Sequence, residues 1–233
     1  MVALKDLPRE RLQAMAEGGE QILECYRVMQ KTDHNIVGLT IEGHGTFYEY
    51  DHYPPGDVYD HETHSQYYYH SHREGEHGHF HTFLREAGMP ADCRPIEQSE
   101  ADYMTERDDT ITHLIAISMN PAGFPIALFT TNRWVTADNW YVAEDVISML
   151  DTFCMDLVYP SWPVNIWITG MVALFRPQIE DLIRERDVTV EKWRDEKPDE
   201  DIFEHRDYDL ASIKEISVEK QLRAVKRALA KAA

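Results

Sequence analysis

Five histidines fall within twelve residues, at His70, His72, His77, His79 and His81. Neutral imidazole is a common ligand for zinc, iron, copper and nickel, and His-x-His on an extended chain turns two rings to one side. The run Tyr67-Tyr-Tyr-His70-Ser-His72-Arg-Glu-Gly-Glu76-His77-Gly-His79-Phe-His81-Thr-Phe83 carries this spacing on both sides of Glu74-Gly75. A two-residue turn there, with Gly75 at positive φ, folds the run into an antiparallel hairpin. The register then sets Arg73 against Glu76, His72 against His77, His70 against His79, and Tyr68 against His81. All five imidazoles and Tyr68 share one face, while Tyr67, Tyr69, Phe80 and Thr82 take the other. A slip of one residue destroys the pattern, which makes the expectation sharp.

Facing Cβ atoms in such a pair lie about 4.5–5.5 Å apart, close enough for two rings to meet one ion through bonds of about 2.0–2.1 Å. The expected ligands are His70, His72, His77, His79 and His81, joined by His113 from a later strand. Further donors come from the preceding loop, at His52, Asp57, His61 and His64. Glu76 points away in this register and ranks below them. The donor set suits iron, zinc or copper without choosing among them. Tyr68 would place a phenol beside the ion. Arg133, after a later strand, would receive an anionic substrate, or simply pair with one of the many carboxylates, and Trp134 would wall a pocket. The structural alternative is a hydrogen-bonded ladder of histidines. Five imidazoles on one face have little mutual pairing capacity and resist protonation together, which favours the metal site.

Three resemblances attach to these residues. His77-Gly-His79-Phe-His81-Thr-Phe83 resembles the His-triad signature of nucleotide hydrolases and transferases, with Gly78 and Thr82 where that family has bulkier apolar residues. That resemblance implies a metal-independent phosphoryl transfer with His79 as nucleophile. His70-x-His72-x3-Glu76 looks like part of a cupin metal motif, lacking its flanking glycines. More broadly, Tyr53-Pro-Pro-Gly-Asp-Val-Tyr-Asp60 through the hairpin, over about residues 45–84, is similar to an uncharacterised bacterial domain family, which implies no activity.

Composition limits the partners. The 233 residues are 43% hydrophobic and 11% aromatic, as in a folded chain with a substantial core. The net charge is −19, from 42 acidic against 23 basic residues, which disfavours nucleic acid. No apolar run has the length of a membrane span; the nearest, 162–175, is short and contains Asn165. The opening Met-Val-Ala-Leu-Lys-Asp lacks a signal-peptide core, and Cys25, Cys93 and Cys154 show no metal-type pairing. The expectation is a cytoplasmic protein acting on a small molecule, with free thiols.

The elements around the hairpin follow from periodicity. Pro8 opens a first helix carrying Leu12, Met15, Ile22, Tyr26 and Met29, with a kink expected at Gly18-Gly19. A strand is predicted near 45–51, and 51–64 reads as a loop because two prolines and a glycine oppose a ladder. Beyond Pro90 an irregular or partly helical region extends to Asp109. Ile111 to Ser118 is a strand with Ile111, His113, Ile115 and Ile117 on one face. A turn at Asn120-Pro-Ala-Gly123 leads to a returning strand, Phe124 to Thr131. The remainder reads as helical: Val142 to Leu157, then Val164 to Phe175, broken at Pro177 and restarting at Gln178 to Glu185. A short helix at Val190 to Glu196, a charged loop over 197–209 and a last helix, Ser217 to Lys231, complete it. The predicted class is α+β in one domain of residues 1–233. An N-terminal helix (1–32) and a helical half (140–233) cover an antiparallel sheet of about four to six strands within 44–131.

Overall fold

The sheet that carries the histidines has six antiparallel strands, each paired with its neighbour in sequence. The computed structural model describes residues 3–96 and 110–232. Most of the expected irregular region before Asp109, residues 97–109, lies outside the described residues. The strands are β1 (Tyr53–Tyr59), β2 (Ser65–His70), β3 (Gly78–Arg85), β4 (Ile111–Met119), β5 (Pro125–Thr131) and β6 (Leu210–Glu215). The helices are α1 (Arg9–Met29), α2 (Ile36–Ile41), α3 (Arg133–Thr136), α4 (Ala143–Met149), α5 (Trp162–Leu174), α6 (Arg176–Glu196) and α7 (Val218–Leu229). The fold is α+β, with N- and C-terminal helices packed on the sheet.

The main core lies on the face that bears Tyr67, Tyr69, Phe80, Ile115, Ile117 and Leu128, against α1, α5 and α7. Helix α5 is apolar nearly all round because it is buried there. Its one polar core residue, Asn165, is fully satisfied. It accepts from the Tyr67 hydroxyl at 2.6 Å and donates to the carbonyls of Leu157 and Tyr159. Gly18 and Gly19 do not kink α1, which runs unbroken to Met29. They permit a close crossing instead: a Cβ on Gly18 would lie 3.0 Å from the Gly170 carbonyl, and one on Gly170 would lie 2.9 Å from that of Gly18.

Four sequence expectations give way to the structure. No strand forms at 45–51; the first strand is β1, inside the predicted loop. Pro54 and Pro55 are tolerated because β1 is an edge strand whose pairing with β2 is broken by a bulge between Tyr53 and Val58. In the C-terminal half, α4 ends at Met149 rather than continuing to Leu157. Pro177 stands in the first turn of α6, so it starts that helix, which then continues without a second break to Glu196. Within the half expected to be helical, β6 adds a sixth strand beside β5. It is short, and its Lys214 and Glu215 are the charges that protect sheet edges, which hides its alternation.

A smaller core of Trp140, Val190, Trp193, Ile202, Phe203 and Ala211 anchors the 197–209 loop. The loop is tied to α3 as well: Trp134 donates from Nε1 to the Tyr208 carbonyl at 2.8 Å, and Asn132 donates from Nδ2 to that of Ile202 at 2.7 Å. These ties bring Trp134, Asp209 and Leu210 over the histidine face. No described helix is long and apolar enough to cross a membrane.

The α1–α5 crossing yields a first prediction. Gly170→Val should destabilise the fold by about 1–3 kcal/mol, since the added atoms meet backbone rather than a side chain that can move. Gly38→Ala, whose Cβ would have its nearest neighbour at 3.6 Å, should be neutral or gain up to about 1 kcal/mol. Thermal denaturation of the two variants checks the contrast.

Candidate metal centre

The predicted hairpin register is present where the strands pair. Tyr67 faces Thr82, Tyr68 faces His81, Tyr69 faces Phe80, and His70 faces His79. The ladder stops at that last pair. Residues 71–77 form a longer loop, turning through Gly75 at φ 86°. Gly78 explains the stop: a Cβ there would lie 2.5 Å from both the His70 carbonyl and the Tyr69 hydroxyl. Only glycine allows β2 to approach this closely.

Leaving the ladder exchanges two side chains between faces. His77, expected among the ligands, sits on the core side, where its Nδ1 and the Tyr69 hydroxyl share a hydrogen bond of 2.6 Å. Glu76, expected to point away, enters the histidine face. It accepts from His79 Nδ1 through one carboxylate oxygen and from the Ser118 hydroxyl through the other. The alternating triad of His77, His79 and His81 therefore does not present three rings together.

His70, His72 and His79 bring one ligand nitrogen each to within 4.8 Å of one another. The Nε2 atoms of His70 and His79 are 2.7 Å apart. Two nitrogens bonded to a tetrahedral ion at about 2.0–2.1 Å are themselves about 3.3 Å apart, a value bracketed by these separations. Because His79 donates its Nδ1 proton to Glu76, its Nε2 carries the lone pair. A carboxylate behind a histidine is the usual way that a ligating imidazole is oriented and made more basic.

His81 is fully buried beside this group, its ring centroid 4.7 Å from that of His79. Its Nδ1 is 3.0 Å from His113 Nε2, and its own Nε2 is buried without a hydrogen-bond partner. His113 reaches His81 through a bulge. Thr82 pairs with Ile115 but Phe83 pairs with His113, so Leu114 is the extra residue. The expected grouping of His113 with Ile115 and Ile117 is thus corrected: past the bulge, His113 shares the face of Ala116 and Ser118. It stands behind His81 and positions it.

Of the upstream donors, His52 joins the site. Its ring stacks on Tyr68 at 3.6 Å, and its Nδ1 donates to Asp57 at 2.9 Å. His61 and His64 pack instead around Tyr59. Arg133 is also placed elsewhere: it pairs with Glu204 at 2.7 Å and lies across the Phe203 ring.

A family description covers residues 16–216, from α1 to just past β6. The chain belongs to the domain of unknown function DUF6969. No curated protein sequence and no solved structure matches it. The family therefore spans most of α1, helices α2 to α6 and the whole sheet, well beyond the 45–84 stretch that suggested it.

The histidine face opens on a cavity of about 390 Å³ lined by Tyr50, His52, Tyr68, His70, His72, Arg73, His79, His81, Phe129, Thr131, Trp134, Val135, Asp209 and Leu210. Nothing in the sequence marks Arg73, Phe129 or Asp209 as residues of the site. Arg73 and Asp209 stand in loops whose placement comes from tertiary contacts, and Phe129 looks like any strand residue.

Burial sets the charge state of the cluster. It lowers His70 to about 2, with neighbouring His79, His72 and His52 adding to the effect. Burial likewise holds His113 at about 3, helped by Arg186, and His81 well below the ordinary value of 6.5. His79 is also lowered by burial, although Glu76 opposes the shift. Burial alone would raise Glu76, but the bonds from His79 and Ser118 keep it below the usual carboxylate range. The rings are neutral and ligand-competent.

These shifts set the acid response. A histidine whose folded pKa is depressed takes up its proton more readily in the unfolded chain. Stability is therefore full above the unfolded value of 6.5 and falls as pH drops below it. The slope approaches about 1.4 kcal/mol per pH unit for each such ring. Urea denaturation of chelator-treated protein at pH 7.5, 6.5 and 5.5 should show a smaller loss over the first step and one about three times as large over the second. A flat profile would contradict the neutral, buried cluster.

Proposed function

We propose that the chain binds a divalent transition-metal ion through His70, His72 and His79, with His81 as the nearest further donor, and acts on a small molecule held beside it. The observation that carries this reading is the convergence of two imidazole Nε2 atoms, one of them oriented by a carboxylate. Without an ion, the close pair needs a proton between its nitrogens, and His81 Nε2 has no hydrogen-bond partner. With one, the lone pairs have a common target. A three-histidine set leaves coordination positions open. The bound ion would supply Lewis acidity and, if iron or copper, one-electron chemistry.

The protein's own groups divide the remaining work. Glu76 holds the Nδ1 proton of His79, and Ser118 holds Glu76. Asp57 fixes His52, whose ring in turn holds Tyr68 at the cavity wall. Trp134, Val135 and Leu210 cover the space and limit water. A cavity of this size, within the range of about 300–1,000 Å³ for small-molecule sites, favours an enzyme over a metal buffer, which needs no such space.

Metal analysis of untagged protein, purified and reloaded with iron, zinc or copper, tests the reading. One ion per chain is expected. His70→Ala and His79→Ala should lose it, while His77→Ala and His61→Ala should retain it. Glu76→Gln should keep the fold and weaken affinity by about 10–100-fold. Absence of stoichiometric metal in every preparation, or equal retention by His79→Ala, would overturn the proposal.

A further inference from the structure

Three residues that line the same cavity each carry a buried polar atom without a hydrogen-bond partner: Arg73 Nη1, Thr131 Oγ1 and His81 Nε2. Buried polar groups are nearly always paired, so three around one space indicate a ligand with matching groups. His81 belongs to the histidine cluster. Arg73 and Thr131 do not, and both can donate.

Among the described residues that line the cavity, Arg73 is the single lysine or arginine, in a chain of net charge −19. Its guanidinium carbon lies 4.3 Å from the centre of the Phe129 ring. Stacking on an aromatic face pins the planar group while leaving its edge free to donate, and a guanidinium edge matches a carboxylate through two parallel bonds. Trp134, Val135, Leu210 and Tyr68 give the cavity apolar and aromatic walls, the histidines form another side, and Asp209 is the one carboxylate among the lining residues described.

We propose that the cavity receives a small aromatic or branched monocarboxylate, with its carboxylate on Arg73 and its apolar body against Trp134 and Leu210. Thr131 meets a hydroxyl or carbonyl substituent. The inference deepens the proposed function by naming a substrate class. It rests on that reading for the reaction, whereas recognition of the carboxylate by Arg73 needs no ion.

The test is calorimetric titration of the full chain, zinc-loaded and chelator-treated, with benzoate, 4-hydroxybenzoate and 4-methylpentanoate, each against its neutral amide. At least one acid should bind, and its amide should bind about tenfold more weakly or less, the difference expected for a charge-assisted pair. Arg73→Gln should erase the acid-over-amide preference with metal content unchanged, and Arg73→Lys should retain part of it. An arginine that merely pins the loop would lower the melting temperature of Arg73→Gln and leave the acid-to-amide ratio alone, which overturns the proposal. So would failure of every acid to bind. Acid preference that persists in chelator-treated protein supports the carboxylate site even if metal loading fails, so the two readings fail separately.

Discussion

The hydrogen bond from His79 Nδ1 to Glu76 decides what the histidine cluster can do. It fixes the His79 tautomer, aims the remaining lone pair at His70, and places a negative charge behind a neutral ring. It exists because β2 and β3 stop pairing after His70 and His79. Had the ladder continued to a two-residue turn, Glu76 would face the core helices and His77 the cavity. The exchange depends on Gly78, which admits the Tyr69 hydroxyl and the His70 carbonyl where a side chain would stand.

Burial supports the same end at an energetic cost. The histidine face is shielded in part because Tyr68, Phe83 and Ile111 form their own small apolar cluster on it and Phe129 packs edge-on to His79 at 5.2 Å. Removing imidazoles from water disfavours the protonated form, so the rings stay neutral under conditions in which free histidine is partly charged. The same arrangement leaves donors and acceptors without partners around a cavity. Native proteins carry such groups chiefly where something binds. The sheet, its bulge at Leu114 and the anchored 197–209 loop combine to create this polar, partly open and incompletely paired space.

Much of this was legible in the residues themselves. Alternation in Tyr67–His70 and His79–Phe83 specifies the register of β2 and β3, because any slip would send the core tyrosines into the histidine face. Helices α1 and α7 follow from apolar periodicity, and α5 from a run that is apolar nearly all round. The failures share a cause: each depends on a contact outside its own segment. The loop at 71–77 depends on the approach of Tyr69 to Gly78. The turn of His113 toward His81 depends on a bulge, which no pattern of alternation marks. Strand β1 keeps its prolines because it lies at an edge, and β6 is a strand because β5 lies beside it. The role proposed for Arg73 depends on Phe129, fifty-six residues later, which lies beneath its guanidinium.

The central claim concerns where an ion sits. Anomalous X-ray scattering, collected at the absorption edge of the metal from crystals grown with it, measures that position directly. The account predicts one strong peak about 2.0–2.4 Å from Nε2 of both His70 and His79, with Glu76 still bonded to His79 behind it. A peak among surface carboxylates or at His61 and His64, with the His70–His79 pair left unligated, would contradict it.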